Sequence, residues 1–282
     1  TVFPIVGFDL TDGPLNLAAF DANDKILGAT GLQIQGVLDV LYPYAGDLGL
    51  TFATDHTPTV RLWAPTARNV TLLRFADALP ATEPERVAMT RDAASGVWTV
   101  VGHPDWMGQY YLFEVDVYVS REQRFAVNLV TDPYSVSLAA NSTRSQIVDL
   151  GDAALKPAGW DTLQKPALPN AEDVSIYEIH VRDFSVNDPS VPDALKGTFK
   201  AFTLPDSNGM RHLKALEQAG LSHLHILPTF DIATINENRS EWQGPTFPQL
   251  SQFPADSQEQ QALVSATNDL DGFNWGYDPW HY

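Results

Sequence analysis

Alternating apolar and polar residues predict a β-sheet domain in the first half of the chain. In TPTVRLWAP, Val60 and Leu62 fall on one face of a strand and Trp63 falls on the other. QYYLFEVDVYV continues the period of two, with Tyr111 and Phe113 on the same side. Several such strands, separated by clusters of Pro, Ala, Asp and Gly, predict an antiparallel β-sandwich of about 100 residues.

The pattern changes after Asp173. VSIYEIHV and LSHLHILP are nearly continuous apolar runs, and NGMRHLKALEQAG between them carries apolar residues at helical spacing. Ser207 or Asn208 can cap the start of that helix, and Gly220 suits the left-handed position after its end. A strand, a helix and a second strand in this order predict a parallel βαβ unit. Continuous apolar strands also predict a sheet that is covered on both faces.

These changes divide the chain into four parts. Residues 1–47 mix short apolar runs with turn signals, and we interpret them as the tail of a preceding domain and a connector. The sandwich occupies 48–155, and a linker rich in Pro occupies 156–172. Residues 173–282 form the first part of a second domain. The first residues lack an initiating Met and a basic, signal-like segment, so we expect the chain to begin inside a longer or processed protein.

Composition excludes several partners. The chain has 35 acidic and 17 basic side chains and a net charge of −18, which repels phosphate backbones and argues against nucleic acid. No run approaches the roughly 18 apolar residues of a membrane span. Without cysteine there is no disulfide, thiolate metal site or cysteine nucleophile. An acidic, cysteine-free chain fits an extracellular or cell-surface bacterial protein.

Polar residues follow both strands of the predicted βαβ unit. Arg182 and Asp183 come after the first strand, and Asp231 and Glu237 come after the second. The carboxyl ends of parallel strands form the functional rim of a barrel. Loop packing and a role in a site both explain these residues, and the sequence leaves the two interpretations open.

Two histidines in the second apolar run raise the question of a metal. His223 and His225 are two residues apart on a strand and therefore point the same way, a spacing that serves metal hydrolases of the barrel type. Their position in the middle of the strand instead favours core packing or support of a site from behind. A metal-dependent barrel hydrolase that uses them is one alternative.

The final stretch, DGFNWGYDPWHY, has the composition of a sugar-binding segment. Aromatic faces cover the C–H face of a pyranose, and amides or carboxylates bind its hydroxyls. Trp275 and Tyr277 are two residues apart, and Gly276 lets the backbone come close. The alternative is a hydrophobic loop that folds onto the core.

Several long motifs occur in an order that is typical of one family. They are VRLWAPTA, YYLFEVDVY, VSIYEIHVRDFS, KGTFKAF, HLKALEQAGLSHLHILPTFDIATINE and FNWGYDPWHY. Together they resemble the pullulanase and limit-dextrinase group of the α-amylase glycoside hydrolase superfamily. The resemblance covers essentially the whole chain from about residue 30.

The resemblance implies a multidomain fold and an activity. An antiparallel β-sandwich of the isoamylase-type carbohydrate-binding kind would precede the first βα units of a (β/α)₈ barrel. The enzyme would cleave α-1,6-glucosidic bonds in pullulan, amylopectin or limit dextrins with retention, using two carboxylates about 5–5.5 Å apart. Such a barrel takes about 250 residues, and the stretch from Asp173 to Tyr282 is less than half of that. We therefore expect the nucleophile, the acid/base and the stabilising Asp beyond Tyr282.

The resemblance also implies partners and substrate contacts. Tyr277 matches the tyrosine that stacks under the sugar at the bond-cleaving subsite, and Asp278 matches its polar neighbour. Asn274, Trp275 and Trp280 are expected as wall or loop-packing residues. The expected partners are an α-glucan and the remaining C-terminal part of the same enzyme. Without that part, this chain is expected to be inactive and to leave apolar faces of its barrel strands uncovered. No cofactor is required, and a structural calcium ion stays compatible with the family although no D-x-D-x-D-G loop occurs.

A non-catalytic α-glucan-binding module is the second alternative. In that case the sandwich would hold starch or glycogen chains through exposed aromatic residues such as Trp98, Trp106 or Tyr110. The sequence does not decide whether these rings are exposed or belong to the core.

Overall fold

A computed structural model describes residues 9–31, 34–168 and 170–282. The chain folds into two compact units, Thr1–Leu155 and Lys156–Tyr282. The predicted limits of the four parts remain predictions, and the first eight residues of the predicted tail lie outside the described residues.

The first unit opens with a short hairpin and a helix. Strands β1 (Asn16–Phe20) and β2 (Ile26–Gly31) pair antiparallel, and helix α1 (Gln35–Leu41) follows. The carboxylate of Asp21 accepts hydrogen bonds from the backbone amides of Asn23 and Lys25 at 2.8 and 3.0 Å, which closes the turn between the strands. Acidic side chains favour such turns because they satisfy nearby backbone donors.

Two antiparallel sheets form the main body of this unit. In the first sheet the strands follow the order β3-β4-β8-β7. Their ranges are β3 (Gly49–Phe52), β4 (Pro58–Trp63), β8 (Val97–Val101) and β7 (Thr90–Arg91). In the second sheet the order is β10-β9-β5-β6, and β11 also pairs with β9. Its strands are β10 (Arg124–Val130), β9 (Tyr110–Val119), β5 (Asn69–Phe75), β6 (Glu85–Ala88) and β11 (Ser145–Gln146). Hydrophobic side chains from both sheets form one core, which makes the unit a β-sandwich.

The predicted alternation is confirmed in the strands that carry this core. Burial alternates along β4, with Val60 fully buried, and along β9, with Phe113 fully buried. The open question about the tryptophans is also answered. Trp98 and Trp106 are buried in the core and cannot stack on a sugar at the surface.

A buried carboxylate anchors the end of the sandwich. Asp132 is fully buried, and its Oδ2 accepts a hydrogen bond of 2.8 Å from the hydroxyl of Tyr111. Its backbone amide donates to the hydroxyl of Ser145 at 2.9 Å, and its Oδ1 accepts from the amide of Tyr134 at 2.8 Å. Burial, and then the charge of Asp132, raise the pKa of the Tyr111 phenol well above its usual value. The network ties the segment after β10 to strands β9 and β11.

The second unit is built around a parallel βαβ element, as predicted. Strands β12 (Ile176–His180) and β13 (His223–Leu227) pair in parallel, and helices α2 (Val181–Ser185) and α3 (Asn208–Gln218) lie between them in sequence. The hydroxyl of Ser207 caps α3 by accepting from the amide of Met210 at 3.3 Å, and Gly220 has a φ of 106° after its end. Short helices α4 (Phe247–Leu250) and α5 (Glu259–Ser265) follow β13.

Within the described residues this sheet is not covered on both faces, as the sequence predicts for two strands that lack the remaining part of the enzyme. Ile176 is 65% exposed and Leu224 is 39% exposed. His223 and His225, which were expected in the core or behind a site, are exposed as well. The physical reason is that the sheet has only two strands in the described chain, so a second layer and further strands do not cover these residues.

Candidate functional site

The carboxyl ends of β12 and β13 meet at one edge of the parallel sheet. His180 is the last residue of β12 and pairs with Leu227, the last residue of β13. The chain turns into α2 directly after His180 and into an irregular loop after Leu227. Side chains from both loops therefore share one rim, as the sequence predicts for Arg182 and Asp231.

A cleft of about 910 Å³ lies at this rim. Its lining combines side chains from the loop after β12, the loop after β13 and residues 271–282, which we call the C-terminal segment. Among them are His180, Arg182, Lys196, Asp231, Glu237, Arg239, Trp242, Phe273 and Asn274. Aromatic rings, charged groups and an amide thus converge in one concave space. Such a combination is typical of small-molecule sites.

The C-terminal segment is held against the loop after β13. The backbone amide of Trp280 donates to the carbonyl of Asp231 at 2.9 Å, and the amide of Asp231 donates to the carbonyl of His281 at 3.1 Å. The Nδ1 of His281 lies 3.0 Å from the Oδ2 of Asp231, and the His281 side chain is only 5% exposed. Asp231 therefore has a positioning role, one of the two roles that the sequence left open.

Asn274 and Gly276 fix the same segment from the other side. The Oδ1 of Asn274 lies 3.2 Å from the Nε2 of His180 and accepts from the amide of Gly276 at 3.0 Å. Gly276 has a φ of 73°, and a Cβ there would lie 2.9 Å from Pro228. Glycine is thus required both by the backbone conformation and by close packing on the residue after β13.

The five residues predicted to contact substrate occupy different environments. Asn274 lines the cleft. Tyr277, Trp275 and Trp280 are 71%, 67% and 52% exposed, and Asp278 is exposed with a φ of 78°. These four side chains stand on the outer part of the segment and are not among the residues that line the cleft. Their role in substrate binding stays a prediction.

Arg182 reaches the cleft and Asp183 does not. Arg182 Nη1 donates to Asp183 Oδ1 at 2.6 Å, and the guanidinium lies 5.2 Å from the ring centroid of Phe273. The pair fixes the loop, as one of the two interpretations of the sequence requires, and it also leaves Arg182 on an aromatic wall of the cleft. An arginine over an aromatic face is a favourable cation–π contact.

The loop between β12 and α3 is fixed by polar contacts. The hydroxyl of buried Ser185 accepts from the amide of Gly197 at 2.8 Å. The carboxylate of Asp188 accepts from the hydroxyl and amide of Ser190, the side chain of Asn208 and the amide of Gly209. Hydrogen bonds from the Ser190 hydroxyl, and then from the backbone amides, lower the pKa of Asp188 to about 2. The loop is thereby tied to the start of α3.

Comparison with known proteins finds one matching domain family and several similar pullulanases. The model of carbohydrate-binding module 48, the isoamylase N-terminal domain, matches residues 47–135. The chain is 39% identical over 273 residues to pullulanase 1, chloroplastic, of Arabidopsis thaliana, and 37% identical over 303 residues to a pullulanase of Klebsiella pneumoniae. These alignments span 96% and 93% of this chain. The chain is a homologue of the pullulanases.

Solved structures agree with this relationship. The K. pneumoniae pullulanase complexed with maltotriose superimposes with a TM-score of 0.84 at 34% identity, over 96% of this chain and 29% of that protein. The pullulanase of Paenibacillus barengoltzii, complexed with maltohexaose and α-cyclodextrin, gives a TM-score of 0.62 at 30% identity, over 87% of this chain and 33% of that protein. The chain spans 28% and 27% of the length of the two curated relatives.

The comparisons confirm the predicted resemblance and the class of the sandwich. The family model covers the strands that the alternation predicts. In the part of this pullulanase homologue that the structure describes, no helix combines the length and the apolar character needed to span a bilayer.

The metal alternative gains no support from the geometry of the histidines. The Nδ1 of His225 lies 2.9 Å from the Oε2 of Glu178 on the neighbouring strand, and the Nδ1 of His223 lies 2.9 Å from the hydroxyl of Ser222. The residue opposite His223 in the sheet is Ile176. Across the described ranges of the chain, no three His, Asp or Glu side chains are grouped so that they could hold a metal ion.

Sequence reasoning missed several residues of the cleft. His180 could have been predicted from the sequence, because it ends an apolar strand two residues before Arg182, which was already a candidate residue of the rim. Trp242 carries no such signal, because it lies in an irregular segment without a periodic pattern. In the structure its indole nitrogen donates to the carbonyl of Asn236, and a Cβ on Gly272 would lie 2.3 Å from its ring. The close packing of Gly272 on Trp242 brings two distant parts of the loop together.

Proposed function

We propose that this chain forms part of a pullulanase-type debranching glycoside hydrolase. The enzyme would cleave α-1,6-glucosidic bonds in pullulan, amylopectin or limit dextrins. The identity of 37–39% to two pullulanases over 93–96% of the chain carries this proposal. A related pullulanase has been solved in complex with maltotriose, which supports an α-glucan as the substrate class.

In this proposal, β12, α3 and β13 are the first βα units of a (β/α)₈ barrel. Their parallel pairing and the shared rim at the carboxyl ends of the strands support that assignment. The exposed apolar residues of the sheet, such as Ile176 and Leu224, would pack against further strands and helices. The remaining part of the enzyme would be the partner that supplies them.

The proposed reaction is a retaining two-carboxylate hydrolysis. The nucleophile, the acid/base and the stabilising Asp would belong to sequence beyond Tyr282, so no catalytic residue is assigned in this chain. Exposed Tyr277 would stack beneath a glucose ring, orient its anomeric carbon and support distortion toward the oxocarbenium-like transition state. By analogy with the stacking of nucleic-acid bases on aromatic side chains, this contact would contribute about 1–3 kcal/mol.

The contacts around Tyr277 support its role as a platform. Asn274 on one side attaches the segment to His180 at the end of β12, and His281 on the other side attaches it to Asp231 in the loop after β13. A ring on a fixed segment loses little freedom when it stacks on a sugar. Asp278, Trp275 and Trp280 would shape the surroundings of the sugar.

Carbohydrate binding by the sandwich is a second candidate function. The match of residues 47–135 to a carbohydrate-binding module favours it. The two functions are compatible in one enzyme, because a module that holds the polymer raises the local concentration of bonds to be cleaved. An extracellular or cell-surface location is part of the proposal, supported by the acidic composition and the absence of cysteine.

Two measurements on the purified chain test the proposal. We expect no release of maltotriose from pullulan, and robust release would refute the placement of the carboxylates beyond Tyr282. We also expect migration in an amylopectin-containing gel to be retarded and Tyr277→Ala to reduce that retardation. Trp160→Ala, which removes an exposed ring outside residues 47–135, is the control. Equal retardation of Tyr277→Ala and the unsubstituted chain would remove the platform from the proposal.

A further inference from the structure

A pocket of about 330 Å³ lies beside the outer face of the first sheet of the sandwich. It is lined by Asp39, Tyr42, Pro43, Tyr44, Leu48 and Trp63. This volume is at the lower end of the range of about 300–1,000 Å³ that ligand sites occupy. All of its residues belong to the first unit.

The strand pattern explains why an indole faces this pocket. Val60 and Leu62 of β4 point into the core, so Trp63 points to the opposite face. Its Nε1 donates a hydrogen bond of 3.1 Å to the carbonyl of Tyr42, just after α1 ends at Leu41. The indole thereby ties the connector to the sheet and becomes one wall of the pocket.

The other walls are also held in place. The hydroxyl of Tyr44 donates to the carbonyl of Asp47 at 3.3 Å, which closes the turn after Pro43. The guanidinium of Arg91 on β7 lies 5.6 Å from the ring centroid of Tyr42. Fixed rings bind a ligand with a smaller loss of conformational entropy than mobile rings do.

The chemistry of the lining suits a neutral, hydroxyl-rich ligand. Three aromatic side chains line the pocket, and Tyr44 is 38% exposed. An aromatic face can cover the C–H side of a pyranose. Asp39 is exposed at the edge of the pocket, where its carboxylate can accept hydrogen bonds from hydroxyl groups. A net charge of −18 disfavours anionic ligands but does not penalise an uncharged sugar.

We propose that this pocket binds a glucose unit of an α-glucan chain. Tyr42, Tyr44 and Trp63 would form the apolar surface, and Asp39 would bind the hydroxyls. The inference rests on the proposed carbohydrate-binding function and deepens it by naming the site. Asp39, Tyr42 and Tyr44 precede the residues 47–135 that match the module, so the connector would complete the binding surface of the sandwich.

Binding of maltoheptaose to the whole chain, measured by calorimetry, tests the pocket. We expect Tyr44→Ala and Asp39→Asn each to weaken binding about ten-fold, a typical effect of losing one aromatic stacking partner or one charged hydrogen-bond acceptor. Both residues are exposed, so the variants should keep the thermal unfolding midpoint of the unsubstituted chain. Trp160→Ala, which removes an exposed ring outside residues 47–135, is the control and should bind with unchanged affinity.

The variant Tyr277→Ala distinguishes glucan binding by this pocket from glucan binding by the C-terminal segment. If Tyr277→Ala weakens binding while Tyr44→Ala and Asp39→Asn do not, the pocket is overturned and the proposed function survives. If the two pocket variants weaken binding and Tyr277→Ala does not, the pocket is supported and the platform is contradicted. Weaker binding in both sets supports both sites. An unsubstituted chain that binds no maltoheptaose overturns the pocket.

Discussion

Strands of similar apolar content end up buried in one unit and exposed in the other. Val60 and Phe113 of the sandwich are fully buried, whereas Ile176 of β12 is 65% exposed and Leu224 of β13 is 39% exposed. In the sandwich each sheet covers the inner face of the other. In the second unit, most side chains of the two parallel strands lack such cover in the described residues, and Ile179 is a buried exception. An apolar pattern thus states which residues need a partner surface but does not state where that surface comes from.

The two units therefore draw their stability from different interactions. Burial of apolar area stabilises by about 25 cal/mol per Å², and the sandwich uses it through one continuous core. In the second unit, hydrogen bonds such as those of Asp188 and Ser185 fix loops to the ends of elements. Substitutions that separate these two sources of stability sharpen the comparison.

The largest expected difference is in the loss of stability when an apolar strand residue of each unit is replaced by alanine. Phe113→Ala removes a fully buried ring and should destabilise the sandwich by about 3–5 kcal/mol, because it leaves a cavity. Ile176→Ala removes a mostly exposed side chain and should change the stability of the second unit by less than about 0.5 kcal/mol. Hydrogen exchange of the amides of β9 and β12 measures each unit by itself. Equal losses in the two variants would contradict the comparison.

The buried network around Asp132 should give an intermediate effect. Tyr111→Phe removes the phenol that donates to Asp132 and should cost about 1–3 kcal/mol. Because burial raises the pKa of Tyr111 above its value in the unfolded chain, this phenol contributes stability below about pH 10 that is lost as the pH rises further. Urea unfolding between pH 8 and 11 should show a shallower alkaline loss in the variant. An identical pH profile would disprove the assignment.

The smallest expected effect is a pH dependence in the loop after β12. The pKa of Asp188 is lowered from 3.8 to about 2, so its contribution is present above pH 4 and is lost as the pH falls toward 2. Protection of the amides of Ser190 and Gly209 from hydrogen exchange should decrease over that range. Asp188→Asn should lower this protection at pH 6 and remove most of its acid dependence. Protection that stays constant from pH 6 to 2 would show that the carboxylate does not hold the loop.

Local rules predicted much of the site segment and little of its arrangement. The strand end before Pro228, a cap at Ser207 or Asn208 and a close approach at Gly276 follow from residue type and spacing, and the structure selects Ser207 as the cap. The contact between His281 and Asp231 joins residues 50 positions apart, and no local pattern announces it. The same is true of Trp242 in the cleft.

The amino-acid sequence by itself determined the buried faces of β4 and β9, the βαβ element and the resemblance to pullulanases, because periodicity and motifs are local properties. Only the tertiary structure decided that Trp98 and Trp106 belong to the core, that Trp63 meets Tyr42 and Tyr44 in a pocket, and that Asn274 rather than Tyr277 lines the cleft. These outcomes depend on which distant surfaces come together. A residue's own neighbours in sequence do not contain that information, since burial is a property of the whole packed unit.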